Sequence, residues 1–384
     1  MASSTPAARV HVQSPQTAVP TRAVEPGRAR PIAVASPPLP AAAMQRRTRV
    51  VLCYRADAGV GADGGGAARG LWEEAVWAKE SLSEAVADHP EMAGRLRRRS
   101  DGSSWEVKLN DAGVRFVQAA ADATVEEVVA AEGEDRARWD AALAPWVDVN
   151  AEEPDMCALF YLQLTRFHGD GGYAVGVSCS LLLADPLSLA RFLTSWARTH
   201  AKMKAQSELA TNPLMQYAGY FQRPGAMAAR PRTSSVRVAS VAGETVLFRA
   251  RATAGQPGAP RGHRALAGAC VAQLMASERL SEVRVPPRFS VVVVVVAADE
   301  GATGGISVET CAADGEPLRG GGGECELEAA QWQELGLDEL VLGDSKPVHG
   351  SYSIVVNGGD EGLVVVMPDG AAGEFLVAAT VPKY

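Results

Sequence analysis

Apolar residues recur at two different periods along the chain, which predicts a mixed fold of helices and strands. In the segment 71–87 they return every three or four positions, the spacing of one face of an amphipathic helix. These positions are Leu71, Ala75, Ala78, Leu82 and Val86. We expect that helix to end near His89, because the residue before a proline avoids helical backbone angles.

Short β-rich runs bounded by glycine, proline or asparagine predict several strands. They cover 48–54, 105–109, 114–118, 289–296, 352–356, 363–367 and 375–380. The sequence Asn110-Asp111-Ala112-Gly113 between two of these strands predicts a turn. A further helix is expected at 266–280, and the Pro-, Ser- and Arg-rich stretch 205–242 predicts a crossover between two domains.

The segment 159–196 carries the clearest local pattern. It predicts a strand at 159–167, a glycine-rich turn at 169–172 and a second strand at 173–179. Asp185 and Pro186 then open a helix, because Asp is a favoured N-cap and Pro a favoured first helical residue. The apolar face of that helix is formed by Leu189, Phe192, Leu193 and Trp196.

The first residues allow two interpretations. Residues 8–16 alternate like an edge strand, with Val10 and Val12 on one face. However, the first 24 residues contain no Asp or Glu, and this composition is also typical of a transit peptide. We favour the strand.

Composition and charge exclude several classes of protein. The chain of 384 residues carries a formal net charge of −8, so we expect no nucleic-acid partner. Its six cysteines show no CxxC spacing, which predicts free thiols and no metal site. The apolar run Val291–Ala298 is too short to span a membrane as a helix. We therefore expect a cytoplasmic protein without a membrane span.

Three further segments occur in a characteristic order. Residues 89–96 read HPEMAGRL, residues 191–197 read RFLTSWA, and residues 341–347 read VLGDSKP. These are similar to the "YPLAGRL" corner, the "FLxxWA" helix that follows an HxxxD motif, and the "DFGWGKP" segment of plant BAHD acyltransferases. The chain therefore resembles that family of acyl-CoA-dependent enzymes over most of its length.

The resemblance implies an α/β (mixed α+β) fold of two similar, chloramphenicol-acetyltransferase-like domains with a channel between them. We expect an N-terminal domain at 1–204, a crossover linker at 205–242 and a shortened C-terminal domain at 243–384. Acyl-CoA would enter as a co-substrate from one mouth of the channel and a small-molecule acceptor from the other. No bound cofactor is implied, and the chain is expected to act as a monomer.

The chain departs from the family at the position of the general base. The segment that resembles HxxxD reads LLLAD, so Leu181 stands where the family has its catalytic histidine, while Asp185 is kept. In the family that aspartate has a structural role. The "DFGWG" equivalent is also degenerate, and consists here of Val341, Leu342, Gly343, Asp344 and Ser345. Leucine has no group that could accept a proton.

The missing histidine leaves two functional hypotheses. Cys179, two positions before Leu181, is a weak substitute base because no basic neighbour would lower its pKa. The first hypothesis is a non-catalytic or impaired homologue that binds a ligand, similar to the eceriferum/glossy branch, which acts beside fatty acid elongation enzymes at the endoplasmic reticulum. The alternative is a slow acyl-CoA-dependent O- or N-acyltransferase that relies on proximity. Whether the chain is an enzyme stays open at this point.

Overall fold

Two β-sheets, packed on a shared core and covered by helices, form the framework of the chain. The computed structural model describes residues 5–34, 39–55, 66–99, 104–109, 112–209, 244–252, 260–276, 288–295, 305–312, 325–342, 345–356, 361–370 and 374–381. Within these residues the strands form one sheet of six strands and one of nine. The predicted mixed α/β fold class is confirmed.

The six-stranded sheet is built mainly from the first half of the chain. Its strands, in spatial order, are β1 (Val10–Ala18), β6 (Val114–Ala121), β7 (Phe160–Phe167), β8 (Tyr173–Ser180), β3 (Arg47–Tyr54) and β13 (His349–Val355). Only β6 and β7 pair in parallel; the other neighbours are antiparallel. The strand β8 therefore lies inside this sheet, between β7 and β3.

The nine-stranded sheet is built mainly from the second half. Its strands, in spatial order, are β12 (Cys325–Ala330), β9 (Glu244–Ala252), β15 (Glu374–Val381), β14 (Glu361–Pro368), β10 (Arg288–Val295), β11 (Gly305–Ala312), β2 (Ala29–Val34), β5 (Trp105–Lys108) and β4 (Arg95–Arg98). One face of β14 and β10 packs on the same core as β3 and β8. The two sheets thus share a hydrophobic interior.

Helices cover the sheets and link their ends. They are α1 (Pro6–Arg9), α2 (Ala41–Gln45), α3 (Gly66–Asp88), α4 (Val125–Ala130), α5 (Gly133–Leu143), α6 (Pro186–Leu209) and α7 (Pro260–Ala276). The long helices α3 and α6 pack against each other, and the indole of Trp196 donates a hydrogen bond to Ser81 Oγ at 3.0 Å. The predicted helices at 71–87 and from Pro186 onward are confirmed, and both are longer than expected.

The two strands predicted on either side of residues 110–113 are confirmed, but they do not pair with each other. Both strands exist, but β5 belongs to the nine-stranded sheet and β6 to the six-stranded sheet. Gly113 allows the chain to turn from one sheet to the other, since its φ is +75° and a Cβ there would lie 2.5 Å from the carbonyl oxygen of Ala18. A turn sequence shows that the chain reverses, but it does not identify the partners of the flanking strands.

The N-terminal strand prediction is confirmed. β1 pairs antiparallel with β6 at the edge of the six-stranded sheet, with Val10 opposite Ala121 and Val12 opposite Ala119. The strand begins two residues later than expected, after the short helix α1. Val12 is 56% exposed, so backbone pairing rather than burial of this side chain holds the strand here.

Each sheet exchanges strands with the other half of the chain. β2, β4 and β5 join the nine-stranded sheet, while β13 crosses to the six-stranded sheet. The division at 1–204, 205–242 and 243–384 therefore stays a prediction, because residues 210–243, which include most of the crossover, lie outside the described residues.

Among the arginines after α3, Arg95 is buried, and its guanidinium donates to backbone carbonyl groups.

Candidate functional site

The segment that replaces the HxxxD motif forms a tight corner between β8 and α6. We call residues Leu181–Ala184 the corner. The amides of Leu183 and Ala184 donate to the carbonyl oxygen of Ser180 at 2.9 and 3.1 Å, and the Leu182 amide donates to the Ser180 hydroxyl at 3.2 Å. These bonds set the direction in which the side chain of residue 181 leaves the strand.

Leu181 lies in the core shared by the two sheets. Its side chain is 2% exposed, and its amide donates to the carbonyl oxygen of Arg46 at 3.0 Å. The corner residues are all buried and apolar. The sequence prediction places Leu181 at the position of the family's proton acceptor, and the structure shows that its side chain is a packed aliphatic group, which cannot take a proton from an alcohol or amine.

Asp185 makes the contacts of a helix N-cap. Its Oδ1 accepts from the Ser188 amide at 2.9 Å, and its Oδ2 accepts from the Ser188 hydroxyl at 2.5 Å. Pro186 occupies the first helical position. Both carboxylate oxygens are used at the start of α6, which leaves the aspartate without a role that needs substrate contact.

Cys179 is poorly suited to replace the missing base. Its side chain is fully buried, and its thiol donates to the carbonyl oxygen of Ser180 at 3.8 Å. Burial, and then the negative charge of Asp185, raise the pKa of this thiol above its usual value. A proton acceptor must be a thiolate, and this environment disfavours the thiolate.

Three of the histidines have hydrogen-bond partners that lie away from the corner. His11 and His168 each contact one carboxylate oxygen of Asp122 at 3.1 Å on the exposed side of the six-stranded sheet. His200 is buried between α3 and α6. The remaining three are His89, His263 and His349. Within the described residues, no histidine hydrogen-bonds to the corner.

A cavity of about 640 Å³ opens beside the corner, next to Leu183 and Ala184. Three arginines line it: Arg22, Arg28 and Arg30. Arg30 holds the corner directly, since its Nη1 donates to the Leu183 carbonyl oxygen at 2.8 Å. Burial lowers the pKa of Arg30, while the nearby negative charge of Asp185 opposes that shift. Sequence reasoning missed these arginines, because nothing in their spacing connects them to residue 183.

An ion pair between a buried arginine and a partly exposed glutamate joins the two sheets close to the corner. Arg46 precedes β3 and is 4% exposed, and its Nη2 lies 3.2 Å from Oε2 of Glu361 at the start of β14. Burial lowers the pKa of Arg46, and the charge of Glu361 opposes this. Sequence reasoning missed the pair as well. Arg46 stands in the polar run of residues 45–49 (QRRTR), which gives no sign of its burial, and its partner comes from the other half of the chain.

The degenerate loop at 341–345 is held at the opposite end of β8. The hydroxyl of Tyr54 donates to the Leu340 carbonyl oxygen at 3.0 Å, and that of Tyr173 donates to the Leu342 carbonyl oxygen at 3.1 Å. The two rings stack with centroids 4.7 Å apart. Tyr173 begins β8 and the corner follows its last residue, so about 23 Å of strand separates them.

The described residues of this loop differ in exposure. Leu342 is buried and Val341 is 38% exposed, and a bridge links Leu342 to Ser345. Gly343 and Asp344 lie outside the described residues. The structure therefore places the described residues of this loop at the opposite end of β8 from the corner.

Among the described residues, no group of His, Cys, Asp and Glu side chains could hold a metal ion. No helix in the same part of the chain is long and apolar enough to cross a membrane.

Comparison with known proteins identifies related sequences over part of the chain. Residues 74–232 match the family model described as "Transferase family". Protein ECERIFERUM 26-like of Arabidopsis thaliana is 39% identical over 125 residues, which cover 32% of this chain and 28% of that protein. Agmatine hydroxycinnamoyltransferase 1 of Oryza sativa subsp. japonica is 35% identical over 117 residues, 30% of this chain and 24% of that protein.

The chain also aligns with solved structures. The crystal structure of vinorine synthase aligns with 97% of this chain and 94% of its own, with 18% identity and a TM-score of 0.47. The chain matches the curated relatives over only about a quarter to a third of their length.

Proposed function

We propose that this chain, whose residues 74–232 match the family model described as "Transferase family", is a BAHD-type acyltransferase homologue that binds acyl-CoA and a small acceptor-like molecule without efficient acyl transfer. The observation that carries the proposal is the packed, apolar Leu181 at the position of the general base. A positioned base contributes roughly 10²–10⁴-fold to rate. Losing it leaves binding and orientation as the activities that the scaffold can still provide.

Two titratable side chains that flank the corner in sequence support the same conclusion. Cys179 is held as a thiol by its burial, and Asp185 has both oxygens occupied as an N-cap. Neither can act as the acceptor of a substrate proton without a rearrangement of the corner.

We further propose an accessory role in fatty acyl or wax metabolism. The likeness to the ECERIFERUM 26-like protein supports it, together with a scaffold that lacks the base. In this role the chain would act in the cytoplasm, at the surface of the endoplasmic reticulum, beside fatty acid elongation enzymes. Fractionation of plant cells tests the location: recovery of the protein only in the soluble fraction, away from elongation enzymes, would contradict it.

A second candidate is a slow O- or N-acyltransferase. The names of several relatives support it, since they describe hydroxycinnamoyl transfer, in two cases to the amine agmatine. A CoA thioester is already activated, so orientation alone could produce measurable transfer. The two candidates differ in the turnover of the wild-type chain.

The deciding experiment places a base at the corner. Wild type, Leu181→His and the control Leu182→His are incubated with acetyl-CoA or a hydroxycinnamoyl-CoA and with agmatine or an aliphatic alcohol, and free CoA is measured. Leu182 is a suitable control because it is equally buried, at 1% exposed, and adjacent in the same corner. We expect release near background for wild type and for Leu182→His, and an increase confined to Leu181→His.

Calorimetric titration with acyl-CoA accompanies the kinetics. Rapid turnover by wild type would replace the first candidate with the second. Absence of acyl-CoA binding by the wild-type chain would contradict both.

A further inference from the structure

Three buried polar atoms beside the corner have no hydrogen-bond partner in the described part of the chain. They are Nη1 of Arg46, Oγ1 of Thr48 and Oγ of Ser290. The three side chains are 4%, 1% and 0% exposed, respectively. Buried polar groups in folded proteins are almost always paired, and each unpaired one disfavours folding. Three such atoms on strands that border the same hydrophobic core therefore need an explanation.

Strand geometry places Arg46 and Thr48 on one surface. They stand two positions apart in extended backbone at the start of β3, and side chains two apart share a face. Thr48 lies opposite Cys179 in the sheet, and the carbonyl oxygen of Arg46 accepts the amide of Leu181. Both polar groups thus lie on the interior face, directly beside the corner.

The opposing surface comes from the nine-stranded sheet. Glu361 and Leu363 share one face of β14, and Ser290 on β10 pairs with Leu363. Val292, two positions after Ser290, belongs to the same hydrophobic core as Leu181, so Ser290 also faces that core. The ion pair between Arg46 and Glu361 connects this surface to the six-stranded sheet. Hydroxyl groups from both sheets therefore flank one guanidinium.

We propose that Arg46, Thr48 and Ser290 form a subsite for the carbonyl oxygen of a bound acyl thioester, with Glu361 as the residue that positions Arg46. This inference rests on the proposed function, because the thioester is that of acyl-CoA. The guanidinium uses Nη2 for Glu361 and directs Nη1–H to the ligand. The hydroxyl groups of Thr48 and Ser290 donate to the same carbonyl oxygen.

Charge selects a neutral oxygen for this subsite. The buried guanidinium of Arg46 is already neutralised by Glu361, whose carboxylate is partly exposed. A ligand carboxylate would add a second negative charge beside one guanidinium, and an uncompensated buried charge is strongly disfavoured. A thioester carbonyl accepts a hydrogen bond without adding charge. The subsite therefore distinguishes acyl-CoA from free CoA and from acids.

Two ligands that differ only at the carbonyl test this directly. Acetyl-CoA has the C=O group, and S-ethyl-CoA has CH₂ in its place. Calorimetric titration of the full chain with each ligand gives a ratio of dissociation constants. A hydrogen bond from a charged donor contributes enough for wild type to prefer acetyl-CoA by about tenfold or more.

Three variants locate the source of that preference. Arg46→Met should reduce the ratio to about one. Thr48→Val should lower it severalfold while leaving the unfolding midpoint of the ligand-free chain unchanged or raised, since it removes a buried hydroxyl without a partner. Ser178→Ala is the control: its buried hydroxyl donates to the Ala144 carbonyl oxygen at 3.0 Å, so stability should fall while the ratio stays at the wild-type value.

The outcomes separate this inference from the proposed function. Equal affinity of wild type for both ligands would overturn the subsite while leaving acyl-CoA binding intact. A preference for acetyl-CoA that survives in both Arg46→Met and Thr48→Val would also overturn it. If wild type bound neither acetyl-CoA nor S-ethyl-CoA, the proposed function and the subsite would both be overturned.

Discussion

Replacing Tyr173 with phenylalanine removes one of the two side-chain hydrogen bonds that hold the segment 340–342 against the six-stranded sheet. The lost bond is the 3.1 Å contact from the hydroxyl to the Leu342 carbonyl oxygen. The phenyl ring can still stack on Tyr54, whose ring centroid lies 4.7 Å away at an interplanar angle of 6°. The substitution therefore changes the hydrogen bond and leaves the ring packing in place.

The expected cost follows from what remains after the hydroxyl is gone. A typical hydrogen bond contributes a net ~0.5–1.5 kcal/mol, and a buried group left without a partner costs ~1–3 kcal/mol. Leu342 is 4% exposed, so water reaches its carbonyl poorly. We expect Tyr173→Phe to lower the free energy of unfolding by about 1–2 kcal/mol. Tyr54→Phe, which frees the Leu340 carbonyl, should have a similar effect.

Equilibrium denaturation and hydrogen exchange together measure this effect. The amide of Ser345 donates to the Leu342 carbonyl oxygen at 3.3 Å, so its exchange should accelerate in Tyr173→Phe. Tyr161→Phe on the neighbouring strand β7 is the control, because its hydroxyl has no hydrogen bond within the described residues. Unchanged stability and unchanged Ser345 protection in Tyr173→Phe would refute the view that the tyrosine hydroxyls anchor this loop.

Three other substitutions test the framework of the site. Gly176→Ala should destabilise the chain by about 1–3 kcal/mol, measured by denaturation, because the new Cβ would lie 2.0 Å from the backbone oxygen of Leu143; a neutral effect would show that α5 is free to shift. Asp185→Ala should cost ~0.5–2 kcal/mol as a lost N-cap, and a variant as stable as wild type would contradict the capping role. Burial raises the pKa of Glu74, but the hydrogen bond and charge of His200 outweigh it and lower the pKa overall. The stabilisation by ionised Glu74 is fully present above its unfolded-state pKa of about 4.3 and is lost as pH falls through its lower folded-state pKa. The difference in free energy of unfolding between wild type and Glu74→Gln should therefore shrink in that acidic window. A difference that does not depend on pH would contradict the assignment.

The sequence by itself determined the local elements of this protein. The capping box at the start of α4 is one example: Glu127 donates its amide to Thr124 Oγ1 at 3.1 Å, and its carboxylate accepts the Thr124 amide. The start of α6 at Asp185 and Pro186 is another. These features depend on residues within a few positions of one another, so spacing and side-chain chemistry suffice to predict them. The same holds for the substitution at Leu181, which is visible without any coordinates.

The tertiary structure alone decided which elements meet. No local pattern shows that β5 and β6 leave a common turn for different sheets, or that β13 pairs with β3. Tyr54 reaches the Leu340 carbonyl across 286 positions of sequence, and Arg46 meets Glu361 from the opposite sheet. Burial and pairing between distant segments depend on the packing of the whole chain. The polar groups around the corner are therefore recognisable only once both sheets are in place.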